Sequence, residues 1–265
     1  MRLRKQYLTE NDCYRAGRTI RPQGIMVHST GANNPSVARY VPGDEEIGRN
    51  TYGNHWDQTN TEYKAKFDKK LNKCAHAFVG LFADGSVGTV QTLPWNWRGW
   101  HCGRGKNGSA NDTHISFEIC EDGLTDASYF KAVYQEAVEL TASLCKEYNL
   151  DPLADGVVIC HQEGYHRGIA SNHGDILHWF PKFGKTMDDF RADVARWMEG
   201  EDETVTYEQW KEYMDRYLAE RAELPASMPK LFAEANELGL TDGTRPMAFV
   251  TREESAVMAR AAALK

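Results

Sequence analysis

Short apolar runs, each about a strand long and broken by Gly-, Pro- and Asn-rich stretches, fill the first part of the chain; segments of helical period follow. Gly24-Ile25-Met26-Val27-His28 predicts a buried strand, and the Gly-, Asn-, Pro- and Thr-rich residues 31–60 predict a long surface loop. The runs His76–Phe82 and Ser86–Val90 flank Asp84-Gly85, which predicts a hairpin. His114–Cys120 alternates as a half-buried strand does. Ile115, Phe117 and Ile119 share one face, and Ser116 and Glu118 the other. Val157-Val158-Ile159-Cys160 predicts one more short strand, closed by His161.

Between the last two strands, Phe130, Val133, Tyr134, Ala137, Leu144, Cys145 and Tyr148 recur at helical spacing, with Asp126 or Ser128 as N-cap. Gly164 to Lys185 reads as irregular. Thr186 then caps a helix whose apolar stripe is Met187, Phe190, Val194 and Trp197, with Asp188 and Asp189 favourable in its first turn. Strands interleaved with helices indicate an α/β fold. The acidic run Glu199-Gly200-Glu201-Asp202-Glu203 reads as a linker, so the expected division is a main domain over 1–199 and a small helical module over 200–265. Helices are expected there over Tyr207–Arg221 and over about 230–238 and 251–263.

Composition narrows the function classes. With 265 residues, 41% hydrophobic and 26% charged, the chain can bury a sizeable core, and one main domain with an appendage is the natural division. A net charge of -7 argues against a nucleic-acid binder. No apolar run approaches the ~20 residues of a membrane span. Met1-Arg2-Leu3-Arg4-Lys5 is basic but has no apolar stretch behind it, which points to cytoplasmic synthesis without a signal peptide. The six cysteines include no C-x-x-C pair and read as free thiols made in a reducing compartment.

The candidate chemistry lies where the strands end. His28 and His161 each close an apolar run, and Asp175 follows His161 by 14 residues in the irregular stretch. Two imidazoles and one carboxylate suit Zn2+ with its fourth position left open, the pattern of catalytic rather than structural zinc. Coordination lowers the pKa of a bound water towards ~7, and zinc also polarises a carbonyl.

These residues stand within a series of motifs: Met26-Val27-His28-Ser29-Thr30, Cys74-Ala75-His76-Ala77-Phe78, Asp84-Gly85, Trp100-His101-Cys102-Gly103, Ile115-Ser116-Phe117-Glu118, and His161 through Phe180. In that order, over roughly residues 20–198, they resemble the zinc-dependent N-acetylmuramoyl-L-alanine amidases of the type 2 family, relatives of the peptidoglycan recognition proteins. The stretch Gly168–Asp175 with Trp179-Phe180 looks like the version in clostridial and clostridial-phage enzymes. The resemblance implies a central mixed β-sheet flanked by helices, with His28, His161 and Asp175 as zinc ligands. It implies Glu118 as the catalytic general base, His173 as the group that stabilises the oxyanion, and His76 and His101 as groove residues that contact substrate. Ile176 stands where the family usually has Pro, so His173 remains the competing third ligand. Trp56, Trp95, Trp97 and Trp100 read equally as stacking platforms or as a local hydrophobic cluster, and Asn107 and Asn111 as turn residues.

The implied activity is cleavage of the amide between N-acetylmuramic acid and L-alanine of the stem peptide, with bacterial peptidoglycan as partner and the cell wall as site of action. A phage or prophage endolysin is the first reading. A non-catalytic peptidoglycan-binding module and an intracellular muropeptide-recycling amidase are the alternatives. Residues 242–260 resemble the closing part of S-layer-homology-like modules, which implies wall attachment or homo-oligomer formation through the C-terminal module; a capping helical appendage is the other reading.

Overall fold

Six strands form one mixed sheet in the computed structural model, which describes residues 1–200, 207–223, 225–226 and 229–239. They are β1 (Leu3–Lys5), β2 (Gly24–Ser29), β3 (Ala77–Leu81), β4 (Val87–Gln91), β5 (His114–Ile119) and β6 (Val158–Cys160), ordered β1-β4-β3-β5-β2-β6. β3, β5, β2 and β6 run parallel, while β4 turns back antiparallel to β3 and carries β1 parallel to it. The hairpin predicted at Asp84-Gly85 joins β3 to β4, with Gly85 at φ 80°, where a side chain would be strained. The short β1 completes one edge and carries no strand signal in the sequence beyond its alternation of leucine and basic residues.

One face of the sheet carries the main core. Ile25, Val27, Ala77, Val79, Ile115, Phe117 and Ile119 pack against two helices, α3 (Ala127–Tyr148) and α5 (Met187–Glu199). In the chain α1 (Asp12–Ala16) and α2 (Asn60–Phe67) precede both, and α4 (His161–His166) lies between them. Asp126 caps α3 by accepting from the Ser128 and Tyr129 N–H groups, and Thr186 with Asp189 forms a capping box on α5. The apolar stripe of α5 meets α3 through Phe190 against Tyr134.

The other face holds two corrections to the sequence reading. Residues 31–60 are not simply a surface loop: Val37, Tyr40, Val41, Ile47 and Trp56 are buried against Phe78, Phe82 and Val90. Their spacing follows no regular period because the backbone between them is irregular, so no helix or strand signal marks them. The loop reaches the sheet at Gly80, where an added Cβ would lie 2.5 Å from the Pro35 carbonyl that accepts the Leu81 N–H. Ser116, expected on a half-exposed face of β5, is fully buried beside His76. Residues 164–185 also hold more order than expected. They contain the end of α4 and two 3-10 turns, Asp175–His178 and Phe180–Phe183.

The chain divides into two compact units, Met1–Asp202 and Glu203–Lys265. In the second, α6 (Tyr207–Ala222) and α7 (Pro229–Glu237) occupy the positions predicted for its first two helices. The helix expected over 251–263, and the stretch resembling a wall-protein module, lie outside the described residues. No described helix is long and apolar enough to cross a membrane.

Candidate metal centre and its cleft

The sheet brings three of the predicted residues into one row. In the register of β2 with β5, His28 lies opposite Glu118, and in that of β2 with β6, Val27 lies opposite Cys160. His161, the next residue, opens α4 directly beyond the strand end. Neighbouring strands lie ~4.8 Å apart, so the C-terminal ends of β5, β2 and β6 present a carboxylate and two imidazoles side by side. This is the edge at which parallel α/β sheets bind ligands.

Asp175 arrives from the loop after α4 and completes the group. Its backbone takes φ 44°, a left-handed conformation that aspartate tolerates better than most residues. The turn it starts is pinned by Ile176, Trp179 and Phe180, all buried in the main core. Trp179 stacks on Tyr129 and meets Phe130 edge-on. Held there, one Asp175 oxygen, Oδ2, lies 2.9 Å from His28 Nδ1 and 2.8 Å from His161 Nδ1. The ligand atoms of these three residues all lie within 4.8 Å of one another.

Electrostatics at the site follow from burial and from these contacts. Burial alone would raise the Asp175 pKa, but hydrogen bonds from His161 and His28 and the fields of both rings outweigh it and hold the carboxyl well below its ordinary range. Burial disfavours the imidazolium of His28, which is lowered even though Asp175 pulls the other way. His28 is therefore held neutral, the form that ligates metals. Glu118 is raised well above an ordinary glutamate, first by burial and then by the charge of Asp175, with Lys73 acting against both. Two imidazoles beside a carboxylate, their ligand atoms this close together, are a donor set that fits a divalent zinc ion.

The group opens into a cleft of about 430 Å³ whose wall also includes Glu118, Lys73, His101, His173, Trp56 and Trp100. The Amidase_2 family model, described as N-acetylmuramoyl-L-alanine amidase, matches residues 18–176, well over half of the chain. The chain belongs to this amidase family. The match begins before β2 and ends one residue beyond Asp175, so it contains His28, Glu118, His161 and Asp175.

Among curated relatives of this chain, the N-acetylmuramoyl-L-alanine amidase CwlA of Bacillus sp is 38% identical over 74 residues. That alignment spans 28% of this chain and 28% of the relative's length. Among solved structures, the hydrolase AmiA of Staphylococcus aureus in complex with its ligand is 19% identical at a TM-score of 0.47, covering 75% of this chain and 83% of that one. PlyL is 20% identical at a TM-score of 0.47, covering 73% and 97% respectively. A mutant endolysin from Bacillus subtilis is 22% identical at a TM-score of 0.45, covering 73% and 99%.

The remaining predicted residues separate by position. His173 stands exposed at the cleft, its ring 4.7 Å from that of His161 and its Nδ1 3.2 Å from Ser171 Oγ. It is Asp175, and not His173, whose ligand atom faces both His28 and His161. His101 lines the cleft with Nδ1 3.0 Å from His28 Nε2. His76 does not reach the cleft. It is fully buried, its Nδ1 accepts the Ser116 N–H and its Nε2–H donates to the Trp97 carbonyl, which is the hydrogen-bonding alternative to substrate contact.

The tryptophans divide likewise. Trp56 packs edge-on against Tyr40 and Phe78 under the loop, whereas Trp100 stands 40% exposed on the cleft wall with the Arg98 guanidinium over its ring. Sequence reasoning missed Lys73 and Ser171 on this wall. Neither carries a sequence signal of its own, since a serine or lysine in an irregular stretch is ordinarily a solvated loop residue.

Proposed function

We propose that this chain is a zinc-dependent peptidoglycan amidase that hydrolyses the bond between the lactyl group of N-acetylmuramic acid and L-alanine of the stem peptide. The observation that carries the reading is the row formed by Glu118, His28 and His161, closed by Asp175 at hydrogen-bond distance from both rings. His28, His161 and Asp175 would hold the metal. A bound zinc supplies Lewis acidity to the scissile carbonyl and lowers the pKa of water.

The chain's own residues supply the rest. Glu118 projects into the cleft from the strand beside His28, placed to take a proton from the attacking water and return it to the departing L-alanine amine. Burial and the charge of Asp175 raise its pKa, which favours the half of that task in which it holds the proton. His173, at the cleft edge beside His161, is placed to donate to the oxyanion as charge develops on the carbonyl oxygen. Trp100, exposed on the wall, gives it a flat apolar surface on which sugar or peptide can lie. All six cysteines are free thiols, which fits synthesis in a reducing compartment before action at the wall, as an endolysin requires.

The test combines zinc content with release of L-alanine N-termini from purified cell walls. The wild type is expected to bind one zinc per chain and to release the amine. Asp175→Ala is expected to lose both, and Glu118→Gln to keep zinc while losing roughly 10²–10⁴-fold in rate. Zinc and activity retained in Asp175→Ala would move the third ligand to His173. A metal-free, inactive wild type that pellets with walls would make the chain a binding module, and turnover of soluble muropeptides alone would make it a recycling enzyme.

A further inference from the structure

Both proposed histidine ligands turn Nδ1 towards Asp175, so each has its Nε2 left over. For a ligating imidazole, the group that receives the distal N–H fixes the tautomer and the orientation of the ring. In this chain both distal nitrogens lead to the same backbone segment. His28 Nε2 lies 3.0 Å from His101 Nδ1. His161 Nε2 lies 3.3 Å from Ser171 Oγ, and that hydroxyl in turn donates to the Cys102 carbonyl at 3.0 Å. The Ser171 N–H donates to the same carbonyl at 2.8 Å, which holds the hydroxyl in place.

The segment is itself locked from beneath. Asn111 is fully buried; its Oδ1 accepts the His101 N–H at 2.7 Å and the Cys102 N–H at 3.3 Å. Its amide donates to the Gly103 carbonyl and to Ser109 Oγ, each at 2.8 Å. A turn residue would not need that burial. One side chain here satisfies the backbone of three consecutive residues.

Two other histidines near the sheet, His76 and His114, show what sets His101 apart. His76 has both ring nitrogens bonded to the chain, Nδ1 to the Ser116 N–H and Nε2 to the Trp97 carbonyl. His114 bonds Thr113 Oγ1 through Nδ1 and the Gly156 carbonyl through Nε2. These are rings that tie structure together. His101 meets the ring of His76 edge-on, but its one ring hydrogen bond among the described residues is to His28, and its buried Nε2 has no hydrogen-bond partner among them.

We propose that His101–Gly103, clamped by Asn111, is the outer shell of the metal site. In it His101 Nδ1 accepts the Nε2–H of His28, and the Cys102 carbonyl accepts, through Ser171, the Nε2–H of His161. The proton directions are then consistent throughout. With the metal bound, each ligating ring would present an unprotonated Nδ1 to it and a protonated Nε2 to its acceptor, and His101 would be the neutral tautomer with its proton on Nε2. His101 and Ser171 are positioning residues, and the role of His101 is orientation of His28 rather than grip on substrate. The inference rests on the proposed metal site.

The test is zinc affinity of the full chain, measured by competition with a chromogenic chelator, alongside thermal unfolding of the metal-free protein. His101→Phe keeps ring volume without an acceptor, Ser171→Ala removes the relay, and His101→Asn puts an acceptor oxygen near the Nδ1 position. His101→Phe and Ser171→Ala are each expected to weaken zinc binding by about 10–100-fold, with the metal-free unfolding midpoint unchanged. His101→Asn is expected to recover part of that loss. Wild-type affinity in both His101→Phe and Ser171→Ala overturns the proposal. Should His101→Phe unfold, Ser171→Ala and His101→Asn still decide it. A wild type that binds no zinc overturns the metal-site reading itself, a distinct outcome.

Discussion

At the residue scale, identical side chains take different work from their surroundings. His28, His76, His101 and His161 all sit on or beside the sheet, yet only His28 and His161 turn a nitrogen towards Asp175. The strand-closing positions of His28 and His161 were visible in the sequence. The role of His76 was not, because only the fold shows that its partners are Ser116 and Trp97. That burial has a measurable consequence. Desolvation pushes the His76 pKa down to about 4 from an ordinary 6.5, so the folded chain refuses a proton that the unfolded chain accepts. Its contribution to stability is therefore complete above pH 6.5 and is lost as pH falls from there to about 4. Replacing His76 with Asn should remove about 1.4 kcal/mol per pH unit from the slope of unfolding free energy within that window. Urea unfolding at several pH values reads that slope, and an unchanged slope would refute the assignment.

At the element scale, the site depends on two strand pairings and one anchored turn. The β5–β2 register sets Glu118 opposite His28; a shift by one residue would turn Glu118 into the core. Alternation in His114–Cys120 made its outward face legible, but its partner strand was not, since parallel pairing leaves no local mark in either segment. The turn bearing Asp175 was read as irregular because its order comes from Ile176, Trp179 and Phe180 entering a core built by α3 and α5. Phe180→Ala is expected to cost about 3–5 kcal/mol in unfolding free energy, as for other buried aromatics. It should also weaken zinc binding, since the anchor of Asp175 goes with it. Calorimetry and chelator competition on one preparation separate the effects; loss of stability with zinc affinity intact would mean that the turn holds Asp175 without this anchor.

For the molecule as a whole, every proposed site residue lies in the unit Met1–Asp202. This unit has its own sheet, its own two-sided core and helices capped at their starts. A chain ending at residue 202 is expected to unfold cooperatively, to bind zinc as the full chain does, and to release L-alanine N-termini from soluble muropeptides at the same rate. If the tail attaches the enzyme to the wall, that shorter chain will pellet less with intact walls. Equal pelleting by both chains would remove the wall-binding reading of the tail and leave its catalytic unit untouched.

The sequence by itself determined the α/β class, the hairpin at Asp84-Gly85, the strands ended by His28 and His161, and the motif order that resembles the amidases. Each is written locally, in a period, a turn dipeptide or a short motif. Tertiary structure alone decided which strands lie side by side, that residues 31–60 roof the second face, and that Asp175 rather than His173 faces both rings. It also placed His101, Ser171 and Asn111 behind His28 and His161. Those outcomes depend on contacts between residues tens of positions apart, where burial and hydrogen-bond satisfaction, not local propensity, select the partner.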